Sequence, residues 1–336
     1  MKIRVGTFNL FQFVEPPFCW YTKSEKFNIE EWNEKISWIK KQISNMNCDV
    51  IGFQEVFSKE ALEKIVKELG FNHFITVDEA KTNKENPKIY TSTTVAIASK
   101  YPITNLEKIE IKPYILKNYN FDKKFVFSRI PIKASIQIEN HEICFYVCHL
   151  KSNRENEFEY IFTKETSFEE KLEKVKVALN SNYSNSLKQR LCEASLIFQD
   201  IRKSKNPTFL MCDLNDREFS LTIDALTNKR FHDENIKKDD YLLIDAYHLH
   251  KKKIYNPHPE FKGFKRTATS YFAGKGNVLD YIFVSNHFNK KSKFSIGQVT
   301  SYEILDEHLQ KNQNGSLLNS DHAQVVCEVE FKATLE

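Results

Sequence analysis

Polar residues of the types that bind phosphate or a divalent cation stand at the ends of several apolar stretches. Each lies at or just beyond a run rich in Val, Ile, Leu, Phe or Cys, where a strand would begin or end. They are Asn9, Glu55, His149, Asp213 with Asn215, Asp280, and Asp321 with His322. Carboxylate oxygens suit Mg²⁺, which keeps several waters and takes few protein ligands. Carboxylates and imidazoles are also the usual proton carriers in catalysis.

The alternation of side chains along a strand adds geometry to two of these endings. Asp213 and Asn215 are predicted to project to the same side if their strand continues that far. The same argument places His149 beside Lys151. A carboxylate that takes a proton would then lie next to an amide that hydrogen-bonds a phosphate oxygen. Lys151 is interpreted either as a phosphate contact or as a solvated lysine at the rim.

Each of these residues also has an ordinary structural interpretation. A single Asn or Asp at a strand end is usually a turn or cap residue. Glu55 could be the first solvated position after its strand, and His149 a half-buried histidine with satisfied hydrogen bonds. Six such endings in one chain are implausible as independent accidents. Together they predict one shared pocket around a divalent cation.

Strands and helices alternate among the elements that must position this pocket. The pattern of apolar residues predicts strands at 2–8, 49–54, 71–77, 92–98, 103–111, 125–138, 142–149, 207–212, 241–247, 279–284, 295–303 and 323–331. Helical spacing predicts one helix capped by Asn28 and a second between Ser58 and Gly70. A further helix is predicted at about 184–203.

The segment from 153 to 183 differs from the rest of the chain. It is polar and rich in Glu, Lys and Asn, with one helical stretch near 168–179. We interpret it as an insertion or lid between two strand–helix units. No linker rich in Pro, Gly or Ser divides the chain, so residues 1–336 are predicted to form one domain, with two packed sheets and helices outside.

Composition narrows the class of protein. The formal net charge of +4 is compatible with a phosphate-bearing substrate but is too small to indicate nucleic acid by itself. The seven cysteines show no repeated spacing, which favours buried free thiols in a reducing compartment. No stretch is typical of a signal peptide or a membrane span, so we expect a cytoplasmic protein unless it is exported without an N-terminal signal.

The ordered set of polar endings resembles the endonuclease/exonuclease/phosphatase family, which includes deoxyribonucleases, abasic-site endonucleases, inositol polyphosphate 5-phosphatases and sphingomyelinases. The resemblance extends from Gly6 to about Glu330. It rests on Asn9, Glu55 in a Gln-Glu pair, His149 before Leu150, the Asp-x-Asn motif of Asp213 and Asn215, Asp280, and the signature Ser320-Asp321-His322. Phe127-Ser128-Arg129-Ile130-Pro131 is similar to a family segment whose arginine contacts phosphate. Two departures are Cys212, where the family usually has Gly, and the lack of an acid matched to His149.

The resemblance implies a fold and a division of labour. The fold is an α+β four-layer sandwich, like that of deoxyribonuclease I, with two mixed, mostly antiparallel sheets between helices. The implied cofactor is Mg²⁺, with Mn²⁺ as a substitute, held by Glu55 with Asn9 and Asp280. Asp213 would activate water, Asp321 would fix His322 in its charged form, and the remaining polar residues would bind phosphoryl oxygens. These phosphate-binding residues would be Asn215, His149, His322, Arg129 and Lys151.

The substrate is decided by loops rather than by these motifs. The blocks typical of inositide 5-phosphatases are replaced here by Leu210 to Asn215 and Leu279 to Ile282. The segment from His149 to Ser152, with Arg190 later on a helix, resembles bacterial nuclease-like members. A DNA or RNA nuclease is therefore the first hypothesis, and a lipid or small-molecule phosphodiesterase or phosphatase is the second. A family member that only binds a partner ranks last, because every core position is filled. The sequence identifies no protein partner.

Overall fold

The computed structural model describes residues 1–121, 124–153, 160–180, 184–231, 242–250, 266–272, 274–313 and 315–333. Within them, two six-stranded sheets pack face to face, and helices cover both outer faces. Each sheet has one parallel pair of strands at its centre, while its other pairs are antiparallel. The predicted α+β four-layer sandwich is thereby confirmed.

The two sheets have similar layouts. The strand order of the first is Gly297–Leu305 (β15), Gln324–Phe331 (β16), Lys2–Phe13 (β1), Val50–Val56 (β3), Thr94–Ser99 (β6) and His73–Ile75 (β4). That of the second is Ile244–Asp245 (β11), Asp280–Val284 (β14), Thr208–Asp213 (β10), His141–His149 (β9), Ile132–Ile138 (β8) and Ile103–Glu107 (β7). Two small ladders join Cys19–Trp20 (β2) to Ile89–Tyr90 (β5) and Ser270–Phe272 (β12) to Lys275–Asn277 (β13).

Helices form the outer layers. They are Ile29–Met46 (α1), Lys59–Glu68 (α2), Pro113–Asn118 (α3), Phe168–Asn180 (α4), Asn185–Ser204 (α5), Leu221–Thr227 (α6) and Glu307–Lys311 (α7). Helices α1 and α2 cover the first sheet, α5 and α6 cover the second, and α3 and α4 pack against α5. Within the described part of the chain, no helix is both long enough and apolar enough to cross a membrane.

Helix α1 begins where the sequence predicted. The side chain of Asn28 accepts a hydrogen bond from the backbone N–H of Glu31, and the Glu31 carboxylate accepts one from the N–H of Asn28. This reciprocal pair satisfies two backbone donors at the helix start. The cap predicted at Ser58 is different: its hydroxyl accepts from the N–H of Glu15 and makes no cap hydrogen bond in α2. Gly70 follows α2 with a φ of 88°, as expected of a stop.

Several predicted strands have different bounds, and one helix was not predicted. The strand expected at 125–138 is confined to β8, because Pro131 before it has no N–H for a ladder. Helix α3 was not predicted, although Pro at its first position is a known start signal. The strand expected at 241–247 is reduced to β11, since Asp245 accepts from the N–H of Tyr247 and begins a 3-10 turn.

The segment interpreted as an insertion or lid contains the helix predicted near 168–179, which is α4. Its Val175 and Ala178 are fully buried. Lys171 forms an ion pair with Asp224 of α6 at 2.8 Å. The described part of this segment is therefore docked on the outer helices. Residues 154–159 and 181–183 lie outside the described residues, and the lid stays a prediction.

The two sheets approach each other closely beside Gly52 of β3. A Cβ added there would lie 3.0 Å from both γ-carbons of Val147 in β9 and 3.1 Å from the Cβ of Met211 in β10. These distances are shorter than ordinary packing contacts between carbon atoms. The central strands thus require a residue without a side chain at this position.

Replacing Gly52 by Val is expected to lower the free energy of unfolding by about 1–3 kcal/mol, because the added atoms push the sheets apart. Gly52→Ala should cost less. Urea unfolding followed by circular dichroism measures both. Leu106→Ala, on the exposed edge strand β7, is the control and should change stability by about 0.5 kcal/mol or less. A Gly52→Val protein as stable as the wild type would contradict the close approach.

Candidate active site

The predicted residues converge where the two sheets meet at one edge. In the second sheet, Asp213 ends β10 and pairs in register with His149 of β9 on one side and Asp280 of β14 on the other. In the first sheet, Asn9 and Glu55 lie on the neighbouring parallel strands β1 and β3. Parallel strands end at the same edge of a sheet. This is why residues far apart in sequence become neighbours here.

Asp213 lies at the centre of the hydrogen-bond network. Its Oδ2 accepts from Nδ2 of Asn9 at 2.9 Å, and its Oδ1 accepts from the backbone N–H of Asn215 at 2.8 Å. Its Oδ2 also lies 3.5 Å from Nε2 of His149 and 3.9 Å from Nδ1 of His322. The residue is only 1% exposed. One carboxylate is therefore enclosed by an amide side chain, a backbone N–H and two imidazole rings.

Asp280 is the acid that supports His322. Its Oδ2 lies 2.8 Å from Nδ1 of the ring. Asp321 was expected to fix this ring and favour its charged form; its Oδ1 is 4.0 Å from Nε2, beyond hydrogen-bond range, so it acts on His322 through its charge and not through a hydrogen bond. His322 forms a β-bridge with Ser270 of the small β12–β13 ladder. The backbone N–H of Asp280 is in turn held by the hydroxyl of Thr269.

Burial and neighbouring charges determine the protonation states of Asp213 and His322. Burial raises the pKa of Asp213 to about 7; His322 opposes this rise and Asp280 adds to it. Burial on its own would lower the pKa of His322, but Asp280, Asp213 and Asp321 raise it well above the ordinary value. The His322 ring is therefore charged at neutral pH, beside a carboxyl group that can gain or lose its proton there.

His149 is uncharged, in contrast to His322. Burial lowers the pKa of His149 well below its ordinary value, and the charges of Arg129 and His322 lower it further. Its Nδ1 is buried and has no hydrogen-bond partner within the described residues. The sequence offered no acid to support this histidine, and the described part of the structure supplies none at Nδ1. The ring is a neutral imidazole close to Asp213.

Two further carboxylates lie beside the network. Glu55 has a left-handed φ of 57°, and its Oε2 accepts from the N–H of Gln12 at 3.0 Å. Burial raises the pKa of Asp321 to about 6, with His322 opposing the rise and Glu55 adding to it. Oδ1 of Asp321 is buried without a hydrogen-bond partner in the described part of the chain. Neighbouring carboxylates with an unsatisfied buried oxygen fit a hard divalent cation such as Mg²⁺.

Each residue of the predicted metal set, Asn9, Glu55 and Asp280, already makes hydrogen bonds within the protein. The amide of Asn9 is engaged at both ends, since Oδ1 accepts from the N–H of Phe11 and Nδ2 donates to Asp213. Buried atoms of Asp213, Asp280 and His322 also lie within 4.8 Å of one another and are a possible metal site. A cation there would compete with the proton on His322 and with its hydrogen bond to Asp280. This cluster and the carboxylates of Glu55 and Asp321 both offer groups of the kind that bind a divalent cation.

Helix α5 holds the two predicted phosphate contacts through Glu193, which is 1% exposed. Its carboxylate accepts from the backbone N–H of Ser128 at 2.6 Å and of Lys151 at 2.9 Å. The guanidinium of Arg129 donates to the carbonyl of Leu150 at 3.0 Å. The segments carrying Arg129 and Lys151 are thus fixed to one helix beside His149.

The alternation argument was wrong at both strand ends. Strand β10 ends at Asp213, and Asn215 has a left-handed φ of 51°, so the two side chains are not strand neighbours. They are instead joined through the Asn215 N–H, while the Asn215 amide donates to the carbonyl of Leu150 at 3.1 Å. Strand β9 likewise ends at His149, before Lys151. At the end of β10, a turn closed by the Asp213 side chain replaces the extended chain.

Sequence reasoning missed three residues that organise the site: Lys35, Glu193 and Thr269. Lys35 lies three residues after Trp32 and four before Ile39, on the apolar face of α1. A charged residue on a buried helix face is a signal that could have identified it. Glu193 stands among Leu191, Ala194 and Leu196 in the same way. Thr269 has no comparable signal.

Asp213→Asn is expected to change how stability depends on pH. In the fold the pKa of Asp213 rises from 3.8 to about 7, so the folded protein holds this proton more tightly than the unfolded chain does. The free energy of unfolding of metal-free wild type should therefore fall, relative to Asp213→Asn, by on the order of a few kcal/mol between about pH 4 and pH 8. Urea unfolding across this range measures the difference. Parallel pH curves would contradict the raised pKa.

Comparisons with known proteins show which family and which solved structures this chain resembles. The Endonuclease/Exonuclease/phosphatase family model matches residues 6–301. A search of curated proteins found no match. Among solved structures, the human nocturnin catalytic domain with bound sulfate is 15% identical, with a TM-score of 0.59 over 98% of this chain and 95% of that one.

Two other structures share the fold at similarly low identity. TDP2 of D. rerio, humanized by 14 mutations, is 11% identical, with a TM-score of 0.56 over 98% of this chain and 99% of that one. A mannosyl-6-phosphatase of Bacteroides thetaiotaomicron is 14% identical, with a TM-score of 0.56 over 98% and 100%. Because the family model matches most of its length, the chain belongs to the endonuclease/exonuclease/phosphatase family, whose members are hydrolases acting on phosphoester bonds.

Proposed function

We propose that this protein hydrolyses phosphodiester bonds in a Mg²⁺-dependent reaction and that its substrate is DNA or RNA. The buried Asp213 is the observation that carries this proposal. Its pKa of about 7 lies near neutral pH, where a general base is most effective. Its carboxylate contacts Asn9 and lies close to both His149 and His322. A base surrounded by fixed donors suits attack of water on a phosphorus atom.

Each residue of the network has a separate task in this reaction. Asp213 orients the attacking water and takes its proton. His322 is charged because Asp280 holds its Nδ1, so its other ring nitrogen can donate to a phosphoryl oxygen. An amide nitrogen carries two hydrogens, so Asn215 can bind the carbonyl of Leu150 and a phosphoryl oxygen together. Neutral His149 supplies another donor. Donors held in place before the reaction stabilise the charge that develops, and loss of one costs about 100-fold in rate or more.

Glu55 and Asp321 are the proposed ligands of the divalent cation. The unpartnered Oδ1 of Asp321 and the mutual repulsion of the two carboxylates support this choice. A bound cation polarises a phosphoryl oxygen and offsets its charge. Mn²⁺ is expected to replace Mg²⁺, because carboxylate ligands accept both. Asn9 then serves the site by holding Asp213 rather than by binding metal.

Two features support a nucleic acid substrate. Arg129 and Lys151 lie on segments beside His149, where they can meet backbone phosphates. A cleft of about 600 Å³ adjoins the segments that carry Asn215 and Asp280. Among its lining residues are Phe162, Arg217, Phe219, Tyr271 and Asn277. Aromatic rings next to Arg and Asn are suited to stacking on bases and hydrogen-bonding them.

A lipid or small-molecule phosphoester is the second candidate. The structural likeness to a mannosyl-6-phosphatase favours it, because that protein's printed name describes a phosphatase of a sugar phosphate. The same network of Asp213 and His322 would serve a phosphomonoester, since both reactions place water in line with phosphorus.

The proposed location is the cytoplasm. All seven cysteines are buried, free thiols. Free thiols persist in compartments where glutathione and thioredoxin keep them reduced. This agrees with the location expected from the sequence.

A substrate panel tests the proposed function. Plasmid, single-stranded DNA, RNA, sphingomyelin, inositides and a sugar phosphate are each offered with Mg²⁺, and product is measured with and without EDTA. Nucleic acid should be cleaved with Mg²⁺ or Mn²⁺ and be intact with EDTA. Asp213→Ala should lower turnover by at least about 10²- to 10⁴-fold, because the general base is lost. Asp78→Asn at the surface is the control. Cleavage of only lipid or sugar phosphate would overturn the choice of substrate.

Asp280→Asn and Asp321→Asn are expected to impair different properties of the enzyme, the first its kcat and the second its Mg²⁺ requirement. Asp280→Asn weakens the charged form of His322, so kcat should fall by about 10²-fold or more while the Mg²⁺ concentration needed for half-maximal activity stays near that of wild type. Asp321→Asn should mainly raise the required Mg²⁺ concentration, by about tenfold or more. Kinetics at varied Mg²⁺ separate the two. The reverse pattern would return Asp321 to the role of supporting His322.

A further inference from the structure

We propose that Lys35 of α1 is a positioning residue that ties together two segments, one that hydrogen-bonds Glu55 and one that leads into Asp321, and so sets the affinity of the site for its divalent cation. This inference rests on the proposed function, because it assumes that Glu55 and Asp321 bind the cation. It adds a residue from the outer helical layer to the apparatus of the site.

The ammonium group of Lys35 is fully satisfied by backbone oxygens. The residue is 0% exposed. Its Nζ donates to the carbonyls of Phe11 at 2.7 Å, Leu317 at 2.8 Å and Asn319 at 2.9 Å. A lysine has three N–H donors, so these contacts use all of them. The three carbonyls come from two segments far apart in sequence, at the end of β1 and before β16.

Both segments lead directly into the proposed cation site. Phe11 and Gln12 have left-handed φ values of 49° and 55°, and the N–H of Gln12 donates to Oε2 of Glu55. On the other side, Asn319 is two residues before Asp321. Residue Ser320, between them, donates its hydroxyl to the carbonyl of Asn9 at 2.8 Å. Lys35 is thus the point at which the segments holding Glu55 and Asp321 are joined.

A role in folding alone does not account for a lysine at this position. It stands on the apolar face of α1, where burying a charge is unfavourable unless the charge is paired. Burial lowers the pKa of Lys35 to about 7, and the charges of Glu55 and Asp321 oppose this fall. Both named carboxylates belong to the proposed cation site. An apolar residue would fill the helix face without this cost, whereas only a donor can hold three carbonyls at once.

Binding of Mg²⁺ to purified, metal-free protein tests the inference. Isothermal titration calorimetry and the rise in melting temperature with added Mg²⁺ both report binding without requiring turnover. Lys35→Met keeps the length of the side chain and removes its donors, and it should weaken Mg²⁺ affinity by about 10- to 100-fold. Lys35→Gln, which keeps two donors, should fall between Met and wild type. Unchanged or tighter binding by Lys35→Met would overturn the proposal.

Lys171→Met is the matched control for loss of a buried lysine. Lys171 is 7% exposed and is paired with Asp224 on the outer helices, away from the metal loops. It should lose stability yet bind Mg²⁺ as wild type does. If Lys35→Met gives no cooperative melt, Lys35→Gln carries the test, and wild-type affinity in that variant contradicts the role. If neither Lys35 variant folds while Lys171→Met does, Lys35 belongs to folding and the inference is wrong.

Glu55→Gln separates this inference from the proposed function. If wild type binds Mg²⁺ and Glu55→Gln binds it at least about tenfold more weakly, the metal site stands whatever Lys35 does. If Glu55→Gln binds as wild type does, the metal site itself has been misassigned and the inference falls with it.

Discussion

Two hydrogen bonds between the sheets hold the site together. Nδ2 of Asn9 in the first sheet donates to Asp213 in the second, and His322, which precedes the last strand of the first sheet, bonds Asp280 in the second. Both lie at the edge where the central parallel strands end. The apolar core between the sheets brings these four side chains within reach, and the polar contacts then fix their relative positions. Displacement of either sheet along its strands would break both bonds.

The site also depends on a balance of buried charges. Asp213, Asp280 and His322 are all less than a tenth exposed, and a buried charge is costly unless it is paired. The charged ring of His322 offsets the two acids on one side of the site. His322 also acts on Asp321, whereas burial depresses the pKa of Lys35, near Glu55 and Asp321, to about 7. A divalent cation bound by this acidic pair, as proposed above, would offset the charge of both carboxylates.

The sequence predicted the architecture and the membership of the site better than it predicted the contacts. Periodicity and the polar endings were sufficient for the four layers and for the convergence of Asn9, Glu55, Asp213 and His322, because these depend on where strands end. Partners within the site depend on backbone direction over one or two residues. The alternation of side chains along a strand therefore does not extend to Asn215, whose φ is left-handed. The backbone at His322, which bridges to Ser270, likewise gave no sign in the sequence that Asp280 would be its hydrogen-bond partner. Lys35 was missed because helical periodicity records which face is apolar and ignores a single charge on it.

The buried carboxylate of Glu193 anchors the segments of Arg129 and Lys151 on an outer helix, in addition to the hydrogen bonds that join Arg129 and Asn215 to Leu150. Asp213 and His149 are anchored in central strands, whereas Arg129 and Lys151 follow backbone segments tethered to an outer helix. Loss of Glu193 would release the segments of Arg129 and Lys151 and leave the register between Asp213 and His149 in place. Such a division lets a chain change which molecules it admits without rebuilding the machinery that cleaves them.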